Sequence, residues 1–196
     1  MFRDSSRDSS RYLFRYAVVA ALAILTATVA VSGQTSAPAA SPAPQPPSTP
    51  SADVLRSYNG LKANILKAAD KMPAENYSYR PTPEVRTFAR VVNHVTEAQF
   101  HSCGAINGTT QAANAVPAET ADKATIVAAL QASFAECDKA IAGLTEANML
   151  ETFKVGPVQR ARISLSWGTV SHDNEQYATL ALYMRLKGLT PPSSEK

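Results

Sequence analysis

The sequence is poor in several residue types that usually announce chemistry or architecture. Its 196 residues hold two cysteines, three histidines and one tryptophan, and only 7% are aromatic. Few aromatics beside abundant alanine favour helices over strands. No strand-like run of comparable quality to the helical ones appears, and there is no internal repeat. A strong charge of either sign is missing too. Residues 1–33 carry Arg3, Arg7, Arg11 and Arg15 against Asp4 and Asp8, and the remainder holds 15 basic and 14 acidic residues. A near-neutral body lacks the electrostatic footprint of a nucleic-acid binder, which excludes that partner class.

No apolar run is long enough to span a bilayer comfortably. The longest, Ala17 to Val31, follows the four arginines and extends over about 22 Å as a helix, against a hydrocarbon core of roughly 30 Å. With small residues at Val31-Ser32-Gly33, residues 1–33 read as a secretory signal peptide, the alternative being an uncleaved anchor. The only membrane partner expected is through that anchor. No cysteine lies near the cleavage region to carry a lipid, and no Arg-Arg pair marks the twin-arginine route. Residues 34–51 contain Pro, Ala, Ser and Thr without charge, which reads as a disordered or polyproline-like tether. The protein is therefore expected to be exported, to the periplasm or beyond, with its folded part over residues 52–194. That length, about 140 residues, buries a core without metal or disulfide staples.

Four helical segments follow. The first is expected over 52–71, with Ser51 as its N-cap and Val54, Tyr58, Leu61, Ile65, Ala68 and Met72 on one seam. A proline-rich loop leads to a second helix over 87–106, with Phe88, Val91, Val95 and Ala98 inward. A third is expected over 122–144, with Val127, Leu130, Phe134, Cys137, Ile141 and Leu144 inward. The stretch 145–159 reads as irregular, broken at Gly156-Pro157. The fourth helix begins between Arg160 and Ser166 and ends at Lys187, before Gly188. Trp167, Tyr177 and Tyr183 read as core anchors. The expected fold class is all-α, a four-helix bundle.

Cys103 and Cys137 lie at similar depths, counted from the starts of the second and third helices. If those helices run parallel, the sulfurs are level; if antiparallel, they are offset by roughly 10 Å or more, too far to bridge. The long 109–121 connection permits a parallel crossover, and export supplies oxidising conditions. A Cys103–Cys137 disulfide is expected, the alternative being two buried thiols acting as small hydrophobes.

His94 and His101 share a face of the second helix, and His172 shares one with Gln176 on the fourth. Imidazoles from facing helices can grip a divalent metal, and Glu97 with Asp173 or Glu175 could support them. By spacing alone, such histidines are more often surface or satisfied core residues, and those carboxylates an ordinary solvated face.

Three segments carry a resemblance: YSYRPTPEVRTFARVVNHVTEAQ (77–99), KATIVAALQASFAECDKAI (123–141) and SHDNEQYATLALYMRLKGLTPPSS (171–194). With the spacing between them they resemble the DinB family over nearly all of 52–194. The resemblance implies a bundle in up-down-down-up order, with helices 2 and 3 parallel. It also implies a divalent metal (Zn, Ni, Mn or Fe) on three histidines, one from the second helix and two spaced by four on the last. Here His94 and His172 fill two places and Gln176 stands in the third. An amide oxygen is a poorer ligand for Zn or Ni than imidazole, so the site is weakened, takes another metal, or recruits His101.

The function implied is that of a metal-dependent enzyme related to thiol-dependent transferases, acting on an unidentified small molecule. Export counts against a cytosolic thiol cosubstrate. The alternative is a non-catalytic helical binding module. Several relatives dimerise, so a homodimer is also raised, although no exposed apolar stripe argues for one.

Overall fold

The computed structural model describes residues 48–110 and 115–195. The expected signal segment, and the tether up to residue 47, lie outside the described residues. Four helices dominate: α1 (Pro50–Lys71), α2 (Phe88–Asn107), α3 (Lys123–Ala142) and α4 (Arg162–Leu186). Between α3 and α4 stands a small antiparallel sheet, β1 (Thr152–Val155) and β2 (Val158–Ala161).

Local chemistry sets most of the boundaries. Thr49, not Ser51, is the N-cap of α1; its side chain accepts from the Ala52 N–H, and Pro50 occupies the first turn, where a missing N–H is harmless. Thr87 caps α2 by accepting from the Arg90 N–H at 3.1 Å, and Asp122 caps α3 by accepting from Thr125 at 2.8 Å. Gly108 closes α2 at φ 67°, a left-handed conformation that suits glycine. No side chain caps α4. The Arg162 N–H donates to Glu151 O at 2.8 Å and the Ile163 N–H to Met149 O at 3.0 Å, so the preceding loop satisfies the first turn.

The segment 145–159 is not irregular throughout, as its sequence suggested. Thr152 pairs with Ala161 and Val155 with Val158 around a two-residue turn. Gly156 sits at φ 59° in the first turn position, the residue choice of a type II′ hairpin. Gly-Pro acts here as a turn between strands, not simply as a break between helices.

The core lies between the helices and is built on Tyr58, Ile65, Phe88, Phe134, Ile141 and Leu180, each almost fully buried. Ile126, not Val127, is the buried residue in the first turns of α3. Tyr177 and Tyr183 are buried as anchors, but Trp167 is 54% exposed and anchors nothing.

Cross-helix bonds fix directions. Ser133 Oγ donates to Gln99 Oε1 at 2.7 Å, and Cys103 is bonded to Cys137, so partner numbers rise together and α2 runs alongside α3 in the same sense. Tyr58 donates to Asp138 and Lys123 to the Asp70 carbonyl, so α1 opposes α3. Tyr183 donates to the Arg86 carbonyl while Ser102 meets Thr169, so α4 opposes α2. The Cys103–Cys137 disulfide, with Cα atoms 5.0 Å apart, is the expected one. Among the described residues no helix is long and apolar enough to cross a membrane.

Candidate metal centre

The α2–α4 seam brings His94 and His172 together. Their Nε2 atoms lie 3.2 Å apart and the rings meet edge to face, with centroids 4.9 Å apart. Two nitrogens each 2.0–2.1 Å from one tetrahedral ion are about 3.3 Å apart, so the spacing suits two ligands of a shared metal. A neutral imidazole pair joined by one N–H···N hydrogen bond accounts for the same distance.

The outward nitrogens discriminate further. His94 Nδ1 lies 3.5 Å from Glu97 Oε2, and His172 Nδ1 lies 3.7 Å from Asp173 Oδ1. These are ion-pair distances, longer than good hydrogen bonds. Neither Nδ1 makes a hydrogen bond among the described residues, and each has a carboxylate close enough to attract a proton to it. Burial pulls the His94 pKa down and the nearby Arg86 cation adds to this, against Glu97, a direction that favours the neutral form a metal ligand needs. Arg90 engages Glu97 at 3.0 Å and holds that carboxylate in place.

Asp173 is the residue the sequence misrepresented. It is fully buried, not on a solvated face. Gln99 Nε2 donates to its Oδ2 at 2.8 Å, while Oδ1 has no hydrogen-bond partner. Burial raises its pKa, opposed by the nearby His172 ring and by the hydrogen bond from Gln99. Gln99 in turn accepts from Ser133, so a buried polar chain runs from α3 through α2 to α4 behind His172. Nothing in the spacing of Gln99 or Ser133 marked them; only burial reveals them.

Gln176 is buried one turn beyond His172 on the same face, and no hydrogen bond ties it to either imidazole among the described residues. Glu175 is exposed and takes no part. His101 is exposed, and no three His, Cys, Asp or Glu side chains converge among the described residues.

Beside the pair lies a cavity of about 260 Å³ between α2, α4 and the hairpin, with His172 and Asp173 in its wall. This is smaller than the roughly 300–1,000 Å³ of drug-sized ligand sites, so any occupant is small.

The fold is mostly helical, with a small two-stranded sheet and a histidine pair between the second and fourth helices. The chain belongs to the DinB superfamily, whose family model matches residues 58–175. The match ends one residue before Gln176. A crystal structure of a DinB-like protein from Bacillus cereus ATCC 10987 is similar at a TM-score of 0.57 and 17% identity, covering 71% of this chain and 93% of that one. A DinB-like protein from Bacillus subtilis is similar at 0.55 and 14% identity, with 70% and 93% covered. These likenesses are of fold. Among curated proteins, none matches the sequence.

Proposed function

We infer that this protein is an exported, divalent-metal-dependent enzyme built on an up-down-down-up bundle, with His94, His172 and Gln176 as the ligand set. The observation that carries the reading is the pair of Nε2 atoms 3.2 Å apart, with a carboxylate behind each ring. With both rings protonated at Nδ1, the two Nε2 lone pairs would repel one another, and a shared cation would relieve that repulsion. Gln176 offers a neutral oxygen from the adjacent turn, which makes the centre weaker than a three-imidazole site and more tolerant of Mn or Fe. A bound divalent ion would supply Lewis acidity, lowering the pKa of a thiol or water at its open position. The chain's own part is to orient the rings through Glu97 and Asp173, and to hold a small molecule in the neighbouring cavity. By family resemblance the chemistry is related to thiol-dependent transfer. Export is supported by the disulfide, which belongs in an oxidising compartment.

One observation favours a non-catalytic binding module instead: a single N–H···N bond between His94 and His172 satisfies both rings without an ion. Metal analysis of the purified protein after supplementation with Zn, Ni, Mn and Fe separates the two. About one equivalent per chain, lost in His94→Ala and in His172→Ala, is expected. A metal-free protein under all four supplements moves the assignment to the binding module.

A further inference from the structure

The cavity beside His172 has unlike groups in its wall. Asp173 there is fully buried and His172 partly so. Arg160, exposed on β2 three residues after Pro157, lines the same cavity. The rest of the wall is mainly apolar, with Ala98, Val155 and Leu165.

Most polar groups in this wall are already committed. The Ser102 hydroxyl donates to the Ala98 carbonyl and that of Thr169 to the Leu165 carbonyl, and the two hydroxyls also meet at 3.0 Å. Gln99 is engaged at both ends, by Ser133 and by Asp173. Arg160 differs: among the described residues it pairs with no carboxylate, whereas its neighbour Arg162 is held by Glu151 at 2.6 Å. The first turn of α4, at Ser164 and Leu165, lines the same cavity, so the positive end of that helix dipole adds to the guanidinium field. The other titratable groups in the wall are His101, His172 and Asp173.

We propose that this cavity binds a small, largely apolar carboxylic acid, its carboxylate held by Arg160 and its opposite end directed at His172. An unpaired guanidinium presents a planar fork of donors that matches a carboxylate in two-point contact. The apolar wall takes the body of the molecule, and the volume limits that body to about the size of one aromatic ring with a short chain. Calling this acid the substrate rests on the metal-centre reading above; its binding does not.

The test uses phenylacetate, its neutral isostere phenylacetamide and the cation phenethylamine, titrated by calorimetry into metal-stripped protein. Phenylacetate is expected to bind about tenfold more tightly than phenylacetamide. In Arg160→Gln that preference disappears while phenylacetamide binding is unchanged, and in Arg160→Glu the preference passes to phenethylamine. The side chain is exposed, so both variants should unfold at the wild-type temperature, which is checked alongside. His94→Ala lies outside the cavity wall and should retain the acid preference even though it abolishes metal binding. Equal binding of acid and amide by the wild type, no binding of either, or a preference that survives Arg160→Gln overturns the proposal. Metal retained by His94→Ala overturns the metal-centre reading instead and leaves the Arg160 comparison standing.

Discussion

Gln99 on α2 donates its side-chain amide to the Asp173 carboxylate on α4 at 2.8 Å, and both residues are completely buried. The bond joins two helices behind one of the two paired imidazoles. Gln99 also accepts from Ser133, so a single amide satisfies partners on two neighbouring helices. Replacing Gln99 by Leu removes the one hydrogen bond that Asp173 Oδ2 accepts among the described residues, where Oδ1 already has none. Stranding a buried carboxyl group in this way costs about 2–4 kcal/mol. Urea denaturation measures it, and the double variant Gln99→Leu/Asp173→Leu should lose less than the sum of the two single changes. A strictly additive pair would show that the contact carries no coupling.

Gln176 is the weak member of the proposed ligand set. Gln176→His supplies a second imidazole on α4, four residues from His172, and should tighten divalent-metal binding by about tenfold or more. Competition against a chromophoric chelator reads the change. An affinity no better than that of the wild type would remove Gln176 from the ligand set and leave only the His94–His172 pair.

The disulfide closes a segment of 34 residues between Cys103 and Cys137. A cross-link spanning that length restricts the unfolded chain by about 3–4 kcal/mol on the chain-entropy account. The double variant Cys103→Ser/Cys137→Ser should lose that much in denaturant unfolding while keeping its helical circular dichroism. Reduction of the wild type with dithiothreitol under the same conditions should reproduce the loss. A loss below about 1 kcal/mol would show that the reduced chain already holds α2 against α3 when unfolded.

The start of α1 carries a pH dependence. Glu146, in the loop after α3, accepts from the Ser51 N–H at 3.1 Å and from its hydroxyl at 2.6 Å. Hydrogen bonds, from Ser51 first and then Thr49, bring its pKa from the usual 4.5 down to about 2. A folded-state value below the unfolded one stabilises the protein above the unfolded pKa, and that contribution is lost as pH falls through the folded one. The melting temperature of wild type should exceed that of Glu146→Gln by a constant amount above about pH 5, and the gap should close between about pH 4.5 and 2. A gap that persists at pH 2 would mean that Glu146 acts by something other than its charge.

Much of the bundle can be read from periodicity, because a helix face with apolar side chains at every third or fourth position has to be buried. Tyr58, Ile65, Phe134, Cys137 and Ile141 sit where their spacing puts them. The matched depths of the two cysteines carry the relative direction of α2 and α3. What periodicity misses has identifiable causes. The β1–β2 hairpin has strands of four residues, too short for alternation to stand out, and its Gly-Pro turn resembles a helix break. Ile126 and Val127 are adjacent and equally apolar, so a one-residue phase error costs the pattern nothing. Trp167 is the largest side chain on α4 and reads as core, yet Val170 faces inward in its place. Thr49 and Ser51 are equally good caps by chemistry, and Pro50 decides for the earlier one by favouring the first turn.

The candidate site was legible by half. His94 and His172 meet, as spacing and resemblance together imply. Gln99, Ser133 and the buried Asp173 are polar residues on helices, and by default such residues face water. Their roles depend on contacts across 74 and 34 residues of sequence, which no local pattern encodes.

The hairpin between α3 and α4 contributes none of the fully buried core residues, yet it supplies Val155 and Arg160 to the cavity wall. If the proposed acid binds there, its recognition and the stability of the bundle draw on different stretches of the chain. Substitutions confined to residues 152–161 would then change which molecule is admitted while leaving the helices that carry the imidazoles in place.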